Sequence, residues 1–178
     1  MVANCGDSRL LTDDGSGSSH FRTVTRDHRV EDVTERARLD RYMETHGQAA
    51  HLVQHRDTLR LYPGGLAVSR TIGDVGFTAA AVPTPDVYRI PLWGAGETEG
   101  EAREVSETTS QSQEGRKVRF VLATDGIWDI LSNTEVGELV AQDGRDGVAR
   151  SPHEAARAVM NECLRRTGGH HGEFPFSR

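Results

Sequence analysis

Two aspartates, Asp125 and Asp129, have the residue type and the spacing for binding a divalent cation. Asp125 follows an apolar run, Gly126 lets the backbone turn sharply beside it, and Asp129 comes four residues later. Carboxylates at the end of a rigid strand suit Mg²⁺ or Mn²⁺, which prefer hard oxygen ligands. An Asp-Gly pair is also typical of an ordinary turn, in which the first carboxylate caps the backbone and the second is solvated. The spacing alone leaves both interpretations open.

The position of Asp125 depends on the strand that precedes it. Residues 118–123 are apolar except for Arg119, which predicts a strand buried on both faces that delivers Asp125 at its end. Other short apolar or β-branched runs, bounded by turn-forming residues, predict further strands. These are residues 2–11 and 21–25, joined by an exposed loop at 12–19, and a strand near residues 59–61.

Three segments have the composition and the end signals of helices. Residues 30–46 are rich in Glu, Arg, Ala and Leu, and Gly47 is placed to end that helix. Two later helices are predicted to begin with capping boxes, in which a serine and a glutamate three residues on bond each other's backbone. The capping pairs are Ser132 with Glu135 and Ser151 with Glu154. Apolar residues spaced four apart are Val33 and Ala37, then Leu39 and Met43, in the first helix, and Ala155, Val159 and Cys163 beside Ala156, Met160 and Leu164 in the last.

Length and composition limit the classes of protein. The chain has 178 residues, 35% of them hydrophobic, which suffices for the core of one domain. A formal net charge of -6 provides no basic surface, so we expect no nucleic acid partner. No apolar run approaches a membrane span and no signal peptide is visible, which predicts an intracellular protein of the cytoplasm or nucleus. Cys5 and Cys163 lack metal-binding spacing and are expected to be reduced core thiols. The sequence gives no indication of oligomeric state.

Residues 94–117 differ from the rest of the chain in composition. Gly, Glu, Ser, Thr and Gln predominate there, with almost no apolar residues. Such a segment cannot offset its ordering entropy by burial. We therefore predict one partial domain over residues 1–178, interrupted by a disordered acidic insertion at about 94–117.

Several segments, in order along the chain, resemble the motifs of the metal-dependent protein serine/threonine phosphatases of type 2C, the PPM family. Residues 123–129 resemble the signature Ala-x-Asp-Gly-x-Trp-Asp, and residues 3–9 resemble the strand motif Ala-Asn-x-Gly-Asp-Ser-Arg. Further matches are Asp27-His28 with Glu35 and Arg38-Leu39 in the first helix, Leu-Ala-Val-Ser-Arg-x-x-Gly-Asp at 66–74, Pro85-Asp86-Val87 and Leu131-Ser132-Asn133. The chain resembles the C-terminal portion of such a catalytic domain.

The resemblance implies an α+β fold, a partial β-sandwich of antiparallel sheets flanked by helices, with the N-terminal strands of the family missing. It implies hydrolysis of phosphoserine and phosphothreonine in a phosphoprotein substrate by a metal-activated water. The cofactor would be Mg²⁺ or Mn²⁺, two ions per complete site.

The resemblance also gives roles to individual residues, none of them as a catalytic side chain. Asp125 matches a ligand of the second metal ion, and Asp129 matches a position that helps to hold a third. Ser69, Arg70, Gly73 and Asp74 match the stretch that supports the flap beside the substrate entrance. Asp7 and Arg9 match a motif that is expected to be structural.

The chain departs from the family pattern in three places. The N-terminal motifs Arg-x-x-Met-Glu-Asp and Asp-Gly-His-Gly-Gly have no counterpart, and the Asp-Asn expected after the last helix is replaced by Gly169-His170-His171. The insertion at 94–117 lengthens a connection that is normally shorter. With one firmly matched metal ligand left, we expect this chain alone to be inactive.

Three hypotheses therefore stand at this point. The chain is a fragment of an active phosphatase, a pseudophosphatase that acts as a binding module, or an unrelated α+β domain. An upstream Asp-Gly-His-Gly-Gly segment would favour the first and a true start at Met1 the second. A helix in place of the strand before Asp125 would favour the third.

Overall fold

The computed structural model describes residues 1–13, 20–74, 76–90, 118–141 and 150–168. Within these ranges the chain forms short strands and helices. The strands are β1 (Val2–Asn4), β2 (Arg9–Thr12), β3 (Arg22–Thr23), β4 (His51–His55), β5 (Thr58–Tyr62), β6 (Asp86–Tyr88) and β7 (Phe120–Ala123). The helices are α1 (Val33–His46), α2 (Asp125–Trp128), α3 (Asn133–Ala141) and α4 (Pro152–Arg166), with a 3-10 turn at Gly47–Ala49.

The described strands form three small sheets. β1 pairs with β6 in antiparallel orientation, β4 and β5 form an antiparallel hairpin, and a third sheet has the order β3-β2-β7. Antiparallel sheets combined with helices confirm the predicted α+β class. β5 confirms the strand predicted near residues 59–61, whereas β4 and β6 were not predicted, because neither has a clear alternation of apolar and polar residues.

The strand predicted over residues 2–11 is divided in two at Gly6. Gly6 has a φ of 114°, a conformation that L side chains rarely adopt, so the extended chain breaks there. Its N–H donates to Nδ1 of His28 and its carbonyl accepts from the His28 N–H, at 3.2 and 2.9 Å. The backbone of this turn is therefore satisfied by the segment around His28.

Helix α1 buries one of the two apolar pairs that the spacing predicts, since Leu39 is fully buried and Met43 packs against the same core cluster. Asp32 caps its first turn by accepting from the backbone N–H of Thr34 and Glu35, and Gly47 ends it as expected. Glu35 and Leu39 are its buried residues, whereas Val33 is 84% exposed. The Leu39–Met43 part of the predicted stripe is confirmed, whereas the Val33–Ala37 part was wrong because both residues are exposed. Glu35 is buried instead, because hydrogen bonds and opposite charges compensate the desolvation of its carboxylate.

The chain separates into two compact units. The first contains residues 1–10, 23–89 and 122–128. Its core is an apolar cluster at the base of α1 and the β4–β5 hairpin, made of Val30, Leu39, Ala50, Leu61 and Ala80. This cluster fixes α1 against the hairpin, and α1 in turn carries Glu35.

The second unit includes the described residues 11–13, 20–22, 90, 118–121, 129–141 and 150–168. Helices α3 and α4 pack together, and the predicted i,i+4 series on α4 forms its buried face: Ala155, Val159 and Cys163. The second predicted series on α4, Ala156, Met160 and Leu164, does not form a buried face, since Met160 is 49% exposed.

Both predicted capping boxes are present in the second unit. Glu135 N–H donates to Ser132 Oγ at 3.3 Å, while Ser132 N–H donates to the Glu135 carboxylate at 2.7 Å. Ser151 and Glu154 repeat this reciprocal pair at 3.3 and 2.9 Å.

β7 forms as predicted, but its burial does not follow the prediction. Phe120 is 45% and Leu122 72% exposed, so the expectation of a strand buried on both faces was wrong. An apolar run shows that a strand can be buried, but its exposure depends on which elements pack against each face.

No helix among the described residues is long and apolar enough to cross a membrane. The predicted disordered insertion at 94–117 and the histidines His170 and His171 lie outside the described residues. The assignment of residues 1–178 to one partial domain stays a prediction.

Candidate functional site

Asp125 begins helix α2, two residues after the end of β7. The Thr124 carbonyl accepts hydrogen bonds from the backbone N–H groups of Ile127 and Trp128 at 3.0 and 3.4 Å. These bonds make a tight turn, which leaves Asp125 half-buried at its start. The strand expected before this aspartate is thus present, which speaks against the hypothesis of an unrelated domain.

Asp7 lies close enough to Asp125 for the charge of one carboxylate to act on the other. Burial raises the pKa of Asp7, and the negative charge of Asp125 raises it further. Arg29 acts in the opposite direction, with its guanidinium 3.4 Å from the Asp7 carboxylate. Two carboxylates that repel each other in a partly desolvated place form a favourable position for a divalent cation.

Asp7 and Asp125 fit a hard divalent cation in donor chemistry, since both supply carboxylate oxygen. Within the described ranges, however, no group of three or more His, Cys, Asp and Glu side chains is arranged to hold a metal ion. Asp129 is exposed and directly follows α2, and its role as a further ligand stays a prediction. The described residues therefore offer a carboxylate pair rather than a full set of ligands.

Glu35 is the centre of a buried hydrogen-bond network in the first unit. It is 0% exposed, and its carboxylate accepts from Arg70 Nε at 3.0 Å, Ser69 Oγ at 2.7 Å and Arg38 Nε at 3.2 Å. Burial alone would raise the pKa of Glu35, but the hydrogen bonds from Arg70 and Ser69 and the charges of Arg38 and Arg70 lower it to about 2. The Glu35 carboxylate is thus charged at neutral pH, and both of its oxygens accept hydrogen bonds.

Arg70 joins this glutamate to Asp86 at the start of β6. Its Nη1 donates to the Asp86 carboxylate at 2.8 Å and to the Thr84 carbonyl at 3.0 Å. On the other side of Asp86 lies Nε2 of the fully buried His28, at 3.2 Å. Because Gly6 donates to Nδ1 of His28, the ring proton is on Nε2 and points at Asp86.

The residues predicted to support the substrate flap have two kinds of surroundings. Ser69 and Arg70 are held by the network just described, and the Ser69 N–H also donates to the His28 carbonyl at 2.8 Å. Asp74 accepts from the Thr71 hydroxyl at 2.6 Å, which closes a local turn. Gly73, inside this turn, has a φ of 109°, so a side chain there would be strained. None of these contacts involves a reacting group, and the role in flap support stays a prediction.

Arg9 is held by a two-point ion pair with Asp27. Its Nε and Nη2 donate to the two oxygens of that carboxylate at 3.0 and 2.6 Å. Both side chains are largely buried, which agrees with the structural role expected for Arg9.

The family model described as "Protein phosphatase 2C" matches residues 1–171 of the chain. This chain belongs to the protein phosphatase 2C family.

Plant protein phosphatases 2C are similar to it over nearly its whole length. It is 35% identical over 171 residues to the probable protein phosphatase 2C 15 of Arabidopsis thaliana, covering 94% of this chain and 32% of that protein. It is 33% identical over 171 residues to the probable protein phosphatase 2C 33 of Oryza sativa subsp. japonica, with the same coverage of 94% and 32%. The chain therefore spans about a third of the length of these curated relatives.

Solved structures of phosphatases show the same fold. A phosphatase from a pathogenic strain of Toxoplasma gondii aligns with a TM-score of 0.58 and 20% identity, covering 92% of this chain and 43% of that one. A serine-threonine phosphatase 2C from Toxoplasma gondii aligns with a TM-score of 0.55 and 18% identity, covering 94% of this chain and 48% of that one.

For this member of the protein phosphatase 2C family, sequence reasoning missed the proximity of Asp7 to Asp125. A usable signal was available, because Asp7 also follows a short strand and a glycine, much as Asp125 follows β7 and precedes Gly126. The expectation that Asp7 is structural accounts for its ion pair with Arg29 but not for its second carboxylate neighbour.

Proposed function

We propose that this protein is a metal-dependent protein serine/threonine phosphatase that hydrolyses phosphoserine and phosphothreonine in proteins. Family membership supports the class of enzyme. The observation that carries the proposal for this chain is the pair of interacting carboxylates, Asp7 and Asp125, of which Asp125 begins the turn that bears the family signature.

In this proposal, Asp125 is a ligand of Mg²⁺ or Mn²⁺, Asp7 contributes a second carboxylate close by, and Asp129 helps to hold a further ion. A complete site would hold two ions. When bound, the ions would lower the pKa of a nearby water and would neutralise charge on the phosphoryl oxygens.

Other residues of the chain would hold the site rather than react. The Glu35–Arg70–Asp86 network fixes the backbone from which residues 71–74 extend. Ser69, Arg70, Gly73 and Asp74 would thereby support the flap at which a phosphoprotein enters.

We expect the 178-residue chain by itself to have no phosphatase activity, since the Asp7–Asp125 pair can hold a single ion but the chain supplies too few ligands for a site of two ions. A phosphopeptide assay with Mn²⁺ tests this expectation. Robust metal-dependent turnover by the purified chain would contradict it.

The phosphatase proposal itself is tested in a chimera. Residues 1–171 replace the matching segment of the Arabidopsis probable protein phosphatase 2C 15, and that parent protein is assayed in parallel. We expect turnover of a phosphoserine peptide that requires Mn²⁺ and is lost in Asp125→Asn. A folded chimera without turnover, beside an active parent, would refute the proposal.

The second candidate is a pseudophosphatase that binds a partner without catalysis. It is favoured by the lack, among the described residues, of any group of three ligating side chains. Binding of a phosphopeptide by a folded but inactive chimera would support it. The absence of a nucleic acid partner and the intracellular location stay predictions.

A further inference from the structure

The turn that carries Asp125 is closed by the side chain of Trp128. The Trp128 indole N–H donates to the carbonyl of Ala123 at 2.7 Å, and the residue is only 8% exposed. Together with the two bonds to the Thr124 carbonyl, this bond locks the backbone on both sides of Asp125. The direction of the Asp125 side chain therefore depends on the position of the indole.

The indole is in turn covered by Arg9. The guanidinium carbon of Arg9 lies 5.3 Å from the centre of the Trp128 ring, within the range of a cation–π contact. The two-point ion pair with Asp27 fixes the plane of the same guanidinium. Arg9 thus presents an oriented, planar cation to the ring.

Arg9 also fixes the segment that carries Asp7, since only Ser8 separates the two residues. On the other side of Asp7, Gly6 is held by its two hydrogen bonds to His28. The backbone at Asp7 is therefore anchored at both ends, and one of the anchors is the side chain that holds the Trp128 ring.

We propose that Arg9 is a positioning residue that sets the placement of Asp7 relative to Asp125 through its contact with the Trp128 ring. The inference rests on the proposed metal site and adds a residue to it. Arg9 does not touch the ion in this scheme. It holds together two chain segments whose carboxylates would otherwise move apart, because their charges repel each other.

The proposal predicts that metal affinity depends on the shape of the Arg9 side chain, not only on its charge. Lysine keeps the charge but loses the planar fork that pairs with Asp27 and stacks on the ring. Groups that orient metal ligands from outside the coordination shell typically contribute about 10–100-fold to affinity. We therefore expect Arg9→Lys to weaken Mn²⁺ binding about tenfold.

The test uses the full chain with Trp93→Phe, which leaves Trp128 as the single tryptophan. Two quantities are measured. The first is hydrogen exchange of the Trp128 indole N–H without metal, by NMR on the parent, Arg9→Lys and Arg36→Lys. The second is Mn²⁺ affinity, by electron paramagnetic resonance of the free ion, for these three proteins, Trp128→Phe and Asp125→Asn. Arg36→Lys is the matched control, because Arg36 pairs with Asp40 on the exposed face of α1.

We expect Arg9→Lys to speed indole exchange and to weaken Mn²⁺ binding, with Arg36→Lys unchanged in both. Trp128→Phe keeps a ring for Arg9 but lacks the indole N–H, so it should also bind Mn²⁺ more weakly. Unchanged indole exchange in Arg9→Lys, or faster exchange with parental Mn²⁺ affinity, would overturn the positioning role. If Arg9→Lys does not fold, the test depends on Trp128→Phe. An Mn²⁺ affinity of Trp128→Phe equal to that of the parent would then overturn the inference.

The failure of the proposed metal site would look different. In that case the parent would bind Mn²⁺ no better than Asp125→Asn, and both the site and the positioning role would be refuted. If the parent binds Mn²⁺ and Asp125→Asn does not, the site stands and only the role of Arg9 is in question.

Discussion

The Arg70 guanidinium binds the carboxylate of Glu35, 35 positions earlier in the chain, and so ties the segment after the β4–β5 hairpin to the buried face of α1. Glu35 is 0% exposed and the Arg70 side chain 11%. A buried pair of this kind contributes little net stability when intact, but the loss of one partner leaves an uncompensated charge. The link between α1 and the predicted flap is therefore sensitive to either residue.

Arg70→Met should reduce the free energy of unfolding by about 3–5 kcal/mol, because Glu35 would stay buried with fewer donors. Arg36→Met, which breaks the exposed pair with Asp40, should cost no more than about 1 kcal/mol. Urea unfolding followed by circular dichroism measures both. Equal effects of the two variants would show that the Glu35 network is not a buried, coupled unit.

The acid stability of the protein should depend on Glu35. Its pKa is lowered from 4.5 to about 2 in the folded protein, so the unfolded chain takes up the proton more readily. The stabilisation from the charged form is complete above pH 4.5 and is lost as the pH falls towards 2. Glu35→Gln should therefore be less stable than the wild type at neutral pH, and this gap should narrow on acidification.

Unfolding free energies measured between neutral pH and pH 2, at high salt to screen exposed ion pairs, test this dependence. Glu44→Gln, an exposed substitution on the same helix, serves as the control. A gap between wild type and Glu35→Gln that stays constant with pH would contradict the expectation.

Two leucines of different exposure test where the core lies. Leu61 is 0% exposed in the cluster beneath α1, and Leu61→Ala should cost about 2–5 kcal/mol in unfolding free energy. Leu122, 72% exposed on β7, should lose far less when changed to alanine. Thermal or urea unfolding compares the two, and a cost at Leu122 as large as that at Leu61 would mean that β7 is covered in solution.

The elements of this fold that were predictable are those with local signals. The capping boxes at Ser132 and Ser151 and the glycine end of α1 depend on residues a few positions apart, and all three are present. The burial of Glu35 on α1 was not predictable in this way, because it depends on Ser69 and Arg70, far along the chain. The spacing of apolar residues within a helix contains no information about such distant partners.

The candidate site also combines a feature that local sequence predicts with one that depends on distant residues. Asp125 could be assigned from its strand and turn, which are local features. Its neighbour Asp7 lies at the other end of the sequence, and only the fold brings the two carboxylates together. Exposure of Phe120 and Leu122 was missed for a similar reason, since composition does not say which elements cover a strand.

Asp125→Asn should have opposite effects on stability and on metal binding. Without metal, removing the charge relieves its repulsion of Asp7, so the free energy of unfolding should rise by about 1 kcal/mol or less. In Mn²⁺, the wild type should gain stability by binding the ion in its folded state only, and the variant should lose that gain. Thermal unfolding in chelator and in a series of Mn²⁺ concentrations measures both effects.

Asp40→Asn, in the exposed pair on α1, should keep the Mn²⁺-dependent shift. A variant that is destabilised in chelator would mean that Asp125 stabilises the turn as an ordinary cap. In that case the two carboxylates would not be held together at a cost to stability, and the argument for a cation between them would fail.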